Sequence, residues 1–403
     1  MVVLPQATES VVDILSTLIS IPSVNPMGQQ VDGPIYFEAR VSDWLVDFFR
    51  SIGAQYERIE VAPGRDNVIA RFDSPGSDLT ILLDAHQDTV PVDGMTIAPF
   101  EPEIANGRIT GRGSCDVKGG MAAMLFAFRR LVREQPAQAA SVVLSCTCDE
   151  ESTTTGITDL ITYWSDTGRG KSKLLANPPD VAVIAEPTLL DVVVAHRGVT
   201  RFRIRTAGRA CHSSDPTQGV NAIYRMARLV TVLEEYAGLL TRTVKPHPLC
   251  GGATLSVGRI LGGMSVNIVP DECVIEIDRR VIPGEDHDEV KADIRRYLTE
   301  RLDFDIEFEP PWIESPALTD SDNAQLAAAV LHCIERVDGD HSAIGVPYGT
   351  HASRTCAAGV PSIVFGPGSI DQAHTKDEFL EIDQLEKAAE VYFQLCASPH
   401  SLQ

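Results

Sequence analysis

His86 and Asp88 close an apolar run, Leu79-Thr80-Ile81-Leu82-Leu83-Asp84-Ala85-His86-Gln87-Asp88. In an extended backbone, residues i and i+2 point to the same side. The run therefore ends in an imidazole with a carboxylate on the same face. A metal-binding histidine needs a partner to fix its ring tautomer, and a carboxylate commonly serves. Taken alone, the pair reads equally well as a ligand with its orienting acid or as a polar turn after a strand. Four further clusters bear on the choice: Gly111-Arg112-Gly113-Ser114-Cys115-Asp116-Val117-Lys118-Gly119-Gly120, Asp149-Glu150-Glu151, Glu186-Pro187-Thr188 and Gln372-Ala373-His374-Thr375. Together they offer two histidines and several carboxylates, a donor mixture that suits zinc, with cobalt or manganese as alternatives. Two metals ~3.5–4 Å apart can share one carboxylate and activate a bridging water. Adjacent acids such as Glu150 and Glu151 repel unless a cation or a shared proton intervenes. One of them can then bind metal while its neighbour takes a proton from the water.

The elements that must carry these residues alternate along the first half of the chain. Ile35–Ile52 reads as a helix, Asp66–Arg71 and Leu79–His86 as strands, and Met121–Arg133 as a helix opened by Gly119 and Gly120. Ser141–Cys148 and Asp180–Ala185 are further apolar, β-branched strands. Continuous apolar strands between helices predict a largely parallel sheet covered on both faces. Ligands of such sheets gather at the carboxyl ends of the strands, and His86, Asp149, Glu150, Glu151 and Glu186 all fall just after one. The texture changes near Val192. Strands over Val199–Thr206, Ala253–Ile260, Cys273–Asp278 and Phe304–Phe308, with helices over Gly219–Leu240 and Glu285–Leu302, follow the split βαβ order. The expected architecture is thus an α/β protein. Residues 1–191 and 312–403 form the catalytic domain, and residues 192–311 form an inserted ferredoxin-like domain. Pro361–Phe365 supplies a last buried strand.

Size and composition bound the function. The 403 residues allow two or three domains. A net charge of −22 argues against nucleic acid and anionic membranes as partners. No window approaches ~18 uninterrupted apolar residues, so no membrane span is expected. Residues 1–20 lack a basic start, and Val11, Val12, Ile14, Leu15 and Leu18 predict an amphipathic helix instead of a signal peptide. The nine cysteines form no CxxC pair, and only Cys146 and Cys148 are close. That usage predicts reduced thiols and a cytoplasmic location. No Walker-type GK[ST] follows the glycines near residue 120, which argues against a phosphate cradle.

The five clusters, in this order over nearly the whole chain, resemble those of the metallopeptidase and deacylase family that includes acetylornithine deacetylase, succinyl-diaminopimelate desuccinylase, aminoacylase and glutamate carboxypeptidase. The resemblance implies a di-zinc catalytic domain with an inserted lid. It implies His86 and Glu186 as terminal ligands of one metal, Glu151 and His374 of the other, and Asp116 as the bridge. Glu150 is then the general base and Asp88 the acid behind His86. A cis peptide after Asp116 is also implied. In the lid, Gly208-Arg209-Ala210-Cys211-His212-Ser213-Ser214 resembles the family's histidine motif. That gives His212 the oxyanion of the tetrahedral intermediate and suggests a homodimer paired through the lid edges. Asn267 is a second candidate donor to the intermediate. Arg279 is a candidate to hold a substrate carboxylate bidentately, with pairing to lid acids an equally weighted alternative.

Cys211-His212-Ser213-Ser214-Asp215-Pro216 and the segment Phe365–His374 resemble acetylornithine deacetylases most. The expected activity is removal of an acyl group from an N-acyl amino acid. A dipeptidase, a carboxypeptidase or a succinyl-diaminopimelate desuccinylase would use the same metal core. The expected partner is accordingly a small N-acyl amino acid or dipeptide. A non-enzymatic binding protein on this fold would be expected to lack a ligand or the base, and all six positions are filled. His351 stands where the family often has an acid, which leaves the substrate open. His196, His247, His287, His332, His341 and His400 read as surface or packing histidines. Lys118 reads as support for the Asp116 loop, and Asp149 as a solvated neighbour.

Overall fold

The computed structural model describes residues 9–31, 33–399 and 402. In chain order the elements begin with α1 Val11–Ser20, α2 Ala39–Ser51, β1 Gln55–Ala62, β2 Arg65–Phe72, β3 Thr80–His86, β4 Glu103–Ala105, β5 Arg108–Thr110, α3 Lys118–Glu134, β6 Ser141–Thr147, α4 Thr155–Leu160, β7 Val181–Ile184 and β8 Val192–His196. Then come β9 Gly198–Ala207, α5 Ala222–Thr243, β10 Thr254–Gly262, β11 Glu272–Val281, α6 His287–Thr299, β12 Ile306–Phe308 and β13 Ile313–Ser315. The chain closes with α7 Ala324–Val337, β14 Ala343–Val346, α8 Ala352–Ala357, β15 Ser362–Val364, β16 Phe379–Glu381 and α9 Ile382–Ala397. His400 lies outside the described residues, as do the first eight. No described helix is long and apolar enough to cross a membrane.

The chain divides into two compact units. The first combines the chain up to Val194 with Asp320–Ile344 and the segment from Thr350 onward. Its sheet runs β1-β2-β6-β3-β7-β15-β8-β14. The central neighbours β6-β3, β3-β7 and β7-β15 are parallel, whereas β1-β2 and β2-β6 are antiparallel. The parallel strands are buried along almost their whole length, which is why they read as continuous apolar runs. Ile14, Leu15 and Leu18 of α1, Phe48 and Phe49 of α2, Met121, Leu125 and Phe128 of α3 and Leu385 and Tyr392 of α9 share one core with them. Each such side chain contributes roughly 1.5–3 kcal/mol on leaving water. Helix α1 starts where Ser10 and Asp13 form a reciprocal capping box, a device worth about 1 kcal/mol.

The second unit spans Ala195–Thr319 with Gly345–Gly349. Its sheet order β10-β11-β9-β12, fully antiparallel, with α5 and α6 as connections, is the split βαβ arrangement. Strands β9 and β11 alternate buried and half-buried residues. Phe202, Ile204, Ile275 and Ile277 pack beneath Met226, Leu229, Leu233, Ile294 and Leu298 of the helices. The prolines at 310 and 311 do not end this unit. Strand β13 follows them and pairs with β9 through Ile313↔Arg201, so the unit continues past residue 311.

Candidate metal centre

Strand β3 delivers His86 at its carboxyl end, and the site assembles around that ring. His86 Nδ1 lies 3.0 Å from the main-chain oxygen of Asp88 and 3.6 Å from its carboxylate. With Nδ1–H donated to that carbonyl, Nε2 keeps its lone pair, the state a metal requires. Nε2 lies 3.1 Å from Asp116 Oδ1. The other Asp116 oxygen, Oδ2, lies 3.3 Å from His374 Nε2, which is also 3.2 Å from Glu151 Oε2. One carboxylate thus presents an oxygen to each of two histidines. Ligand atoms of His86, Asp116 and Glu151 lie within 4.8 Å of one another. The Asp116–Val117 peptide is cis.

The electrostatics mark the cluster as short of positive charge. Burial pushes Glu150 up to about 8, assisted by Glu151, Asp116 and Asp88 and opposed by His86. Burial and Asp116 push Glu151 up to about 7, and the same two causes hold Glu186 well above the ordinary carboxylate range. Glu186 is buried just after strand β7, and the charges of Asp116, His86, Glu150 and Glu151 bear on its carboxylate. Hydrogen bonds to Asp116 and Glu151 raise His374 to about 10. Burial opposes charge on His86, yet Asp116 and Asp88 hold it well above its usual value. Glu151 Oε1 is buried with no hydrogen-bond partner among the described residues. A donor set of buried carboxylates and two imidazoles, with an orphaned acid oxygen among them, fits divalent cations, which would replace the protons that the acids hold on the rings.

The carboxylate of Asp88 works chiefly on the neighbouring loop. It accepts the main-chain N–H of Glu150 (3.0 Å) and Glu151 (3.1 Å) and Asn25 Nδ2 (2.8 Å). Asp149 is no solvated neighbour. It is buried, it accepts Asn25 Nδ2 at 2.9 Å and Arg65 Nη1 at 2.6 Å, and Arg65 also grips the buried Glu38. The left-handed backbone at Asp149, φ 61°, turns the chain from strand β6 into the Glu150–Glu151 loop. Glu378 is a second buried acid that the sequence reading passed over. It accepts Cys115 and Asp116 N–H on one oxygen and Gly113 N–H and Arg112 on the other. The only signal for it was its place four residues beyond His374.

Other expectations resolve variously. Lys118 is fully buried, and its ammonium donates to the carbonyls of Leu18 (2.9 Å) and Ile21 (2.7 Å), so it anchors the end of α1. A Cβ on Gly119 would sit 2.5 Å from the Ser114 oxygen, and one on Gly120 2.8 Å from Ala185 Cβ, which accounts for both glycines. His351 is buried, with Nδ1 2.9 Å from Asp84 Oδ2, and its ring stands 6.4 Å from that of His86. His196 is buried and pushed down to about 4 by burial, as a packing histidine is.

His212, Asn267 and Arg279 belong to the second unit. His212 is exposed, its Nδ1 lies 2.8 Å from Ser214 Oγ, and an isolated antiparallel bridge joins it to Ile268. Ser213 N–H donates to the Asn267 carbonyl, so the two loops lie side by side. Arg279 departs from its expected role. Alternation along β11 turns it to the helix-covered face, where it is 1% exposed and paired with Glu285 at 2.5 Å. The pairing alternative is the one its surroundings support. Its neighbour Arg280 occupies the opposite face beside Asp278.

A sequence profile of the peptidase family M20/M25/M40 matches residues 82–398. The acetylornithine deacetylase of Vibrio campbellii is 31% identical over 412 aligned positions, covering 96% of this chain and 97% of the relative. An M20 family metallo-carboxypeptidase from Sulfolobus solfataricus has a TM-score of 0.76 at 18% identity, covering 97% of this chain and 99% of that one. A dinuclear metal binding peptidase of the M20 family from Bacillus subtilis has a TM-score of 0.68 at 16% identity, covering 96% and 97%. These two likenesses are of fold.

Proposed function

Because the chain belongs to the peptidase family M20/M25/M40, hydrolytic enzymes acting on amide bonds, we propose that it is a two-metal deacylase of N-acyl amino acids, most like acetylornithine deacetylase. His86 and Glu186 would hold one cation and Glu151 and His374 the other, with Asp116 shared between them. Zinc is the metal that suits this set best, with cobalt or manganese next. The observation that carries the reading is Asp116 itself, whose two oxygens face His86 at 3.1 Å and His374 at 3.3 Å. When bound, such a pair of cations supplies Lewis acidity and a water acidified to near neutrality.

The chain's own residues do the rest. Glu150 takes the proton of the attacking water and returns it to the leaving amine. Burial raises its proton affinity in the metal-free protein, which suits a group that must both take and return a proton. Asp88 fixes Glu150 and Glu151 through their N–H groups, so base and ligand keep their spacing. His212, assisted by Asn267, holds the oxyanion. The exposed imidazole and the adjoining Asn267 loop are consistent with that role. The protein is cytoplasmic and dimeric through its inserted unit. Support for pairing comes from the edge strand β10, bonded on one side only, and from Met264 (94% exposed) and Val266 (100% exposed) just beyond it.

A second reading, peptidase action on a dipeptide or a peptide's carboxyl end, draws on the fold shared with the Sulfolobus metallo-carboxypeptidase. Removal of a succinyl group from diaminopimelate uses the same core. A panel of N-acetylornithine, N-succinyl-diaminopimelate and simple dipeptides, offered to the zinc-loaded protein, decides among them. Release of acetate is the expected result. Dipeptide cleavage with no deacylation would reverse the order.

A further inference from the structure

Resting on the two-metal reading above, we propose that Glu378 is a positioning residue for the bridging carboxylate, setting the backbone of the Asp116 loop and joining it to the segment that carries His374. Glu378 is fully buried, and its two oxygens take four donors from one loop. Oε1 accepts the N–H of Cys115 (2.8 Å) and of Asp116 (3.0 Å). Oε2 accepts the N–H of Gly113 (3.0 Å) and Nη1 of Arg112 (2.7 Å). The loop has little regular bonding of its own: Gly111 and Gly113 hold φ 145° and 82°, outside helix and strand. Its shape therefore depends on an acceptor brought from elsewhere.

That acceptor is itself firmly held. Gly111 N–H donates to the Glu378 carbonyl at 3.1 Å, and β16 continues the pairing through Phe379↔Thr110. Four residues earlier the same segment presents His374 Nε2, 3.3 Å from Asp116 Oδ2. One stretch of chain thus faces the bridge directly through His374 and grips its backbone through Glu378. The chemistry calls for an ionised carboxylate. Four N–H donors converge on it, and a glutamine would offer one oxygen and oppose the remaining donors with its own NH2. Partners that support metal ligands commonly change affinity 10–100-fold when removed.

The test uses the full-length protein with Glu378→Gln and Glu378→Ala. Cobalt is titrated into metal-free protein and followed by visible absorption, zinc affinity is measured against a chelator, and melting of the metal-free protein is recorded alongside. Val330→Ala, a truncation in the core of α7, serves as the control for lost stability alone. The expected result is a ~10–100-fold weaker second cation and an altered cobalt spectrum in Glu378→Gln, with wild-type affinity and spectrum in Val330→Ala. Should Glu378→Ala not fold, the Gln variant carries the comparison. A folded Glu378→Gln that binds two cobalt ions with wild-type affinity and spectrum overturns the proposal. So does a loss matched by Val330→Ala. Wild-type protein that binds no cation sinks the two-metal reading instead, so the two failures are distinct.

Discussion

The carboxylate of Glu150 takes its character from burial and from the acids around it. Replacing it with alanine removes the proton shuttle and leaves the ligands in place. Glu150→Ala is expected to lower kcat by ~10²–10⁴ or more while metal analysis gives the wild-type content. A variant retaining most of its turnover would assign the base elsewhere. Several of the site's residues were legible because His86, Glu150, Glu151 and Glu186 stand at or just after the carboxyl ends of β3, β6 and β7, each within a short polar motif. Glu378 and Asp149 were not, since a buried acid and a solvated one look alike in a sequence until their donors are known. Arg279 shows how little separates two readings: in a strand, one residue of parity exchanges the open face for the core.

At the scale of elements, α3 and the Asp116 loop form one unit, because the helix begins at Lys118 with its first glycine against Ser114. Gly119→Ala places a methyl 2.5 Å from the Ser114 oxygen and the Leu380 side chain. The substitution is expected to cost about 1–3 kcal/mol, read as a lower denaturant midpoint, although alanine is the better helix former. An unchanged midpoint would mean that the contact relaxes freely. The buried parallel strands were readable from apolar runs bounded by polar turns. The antiparallel flank was harder. Strand β1 alternates exposed and half-buried residues, and β4, β5 and β16 are three residues each, too short to leave a period. The second unit's βαββαβ order was legible because its long central strands β9 and β11 alternate faces.

For the whole molecule, the titrating groups of the centre link folding to cations. Glu151 and Glu150 titrate at about 7 and about 8 in the folded protein, against 4.5 ordinarily. The unfolded chain releases these protons first, so stability falls as pH rises from about 4.5 towards 8. His374, raised to about 10 from 6.5, adds stability that is full below 6.5 and lost as pH rises through 10. Both act in one direction. Asp88 and Asp116, held below the ordinary range, add no slope there. Metal-free protein is therefore expected to melt progressively lower from about pH 5 to about pH 8, beyond which buried Lys118, pushed down to about 7 from 10.5, opposes the trend, and added zinc is expected to raise the melting temperature more at about pH 8 than at about pH 5. A flat profile without metal would contradict this. The association of subunits has its own check: Met264→Asp on the exposed loop after β10 is expected to shift sedimentation from dimer to monomer. A wild-type protein already monomeric would remove the dimer.

Strand β15, which follows the insertion in sequence, occupies a place inside the sheet between β7 and β8. A polypeptide interrupted anywhere in the insertion would leave β7 with a bare row of amides and carbonyls on an apolar strand. Such a margin recruits other chains, so a chain ending within the insertion is expected to aggregate more readily than the full-length protein.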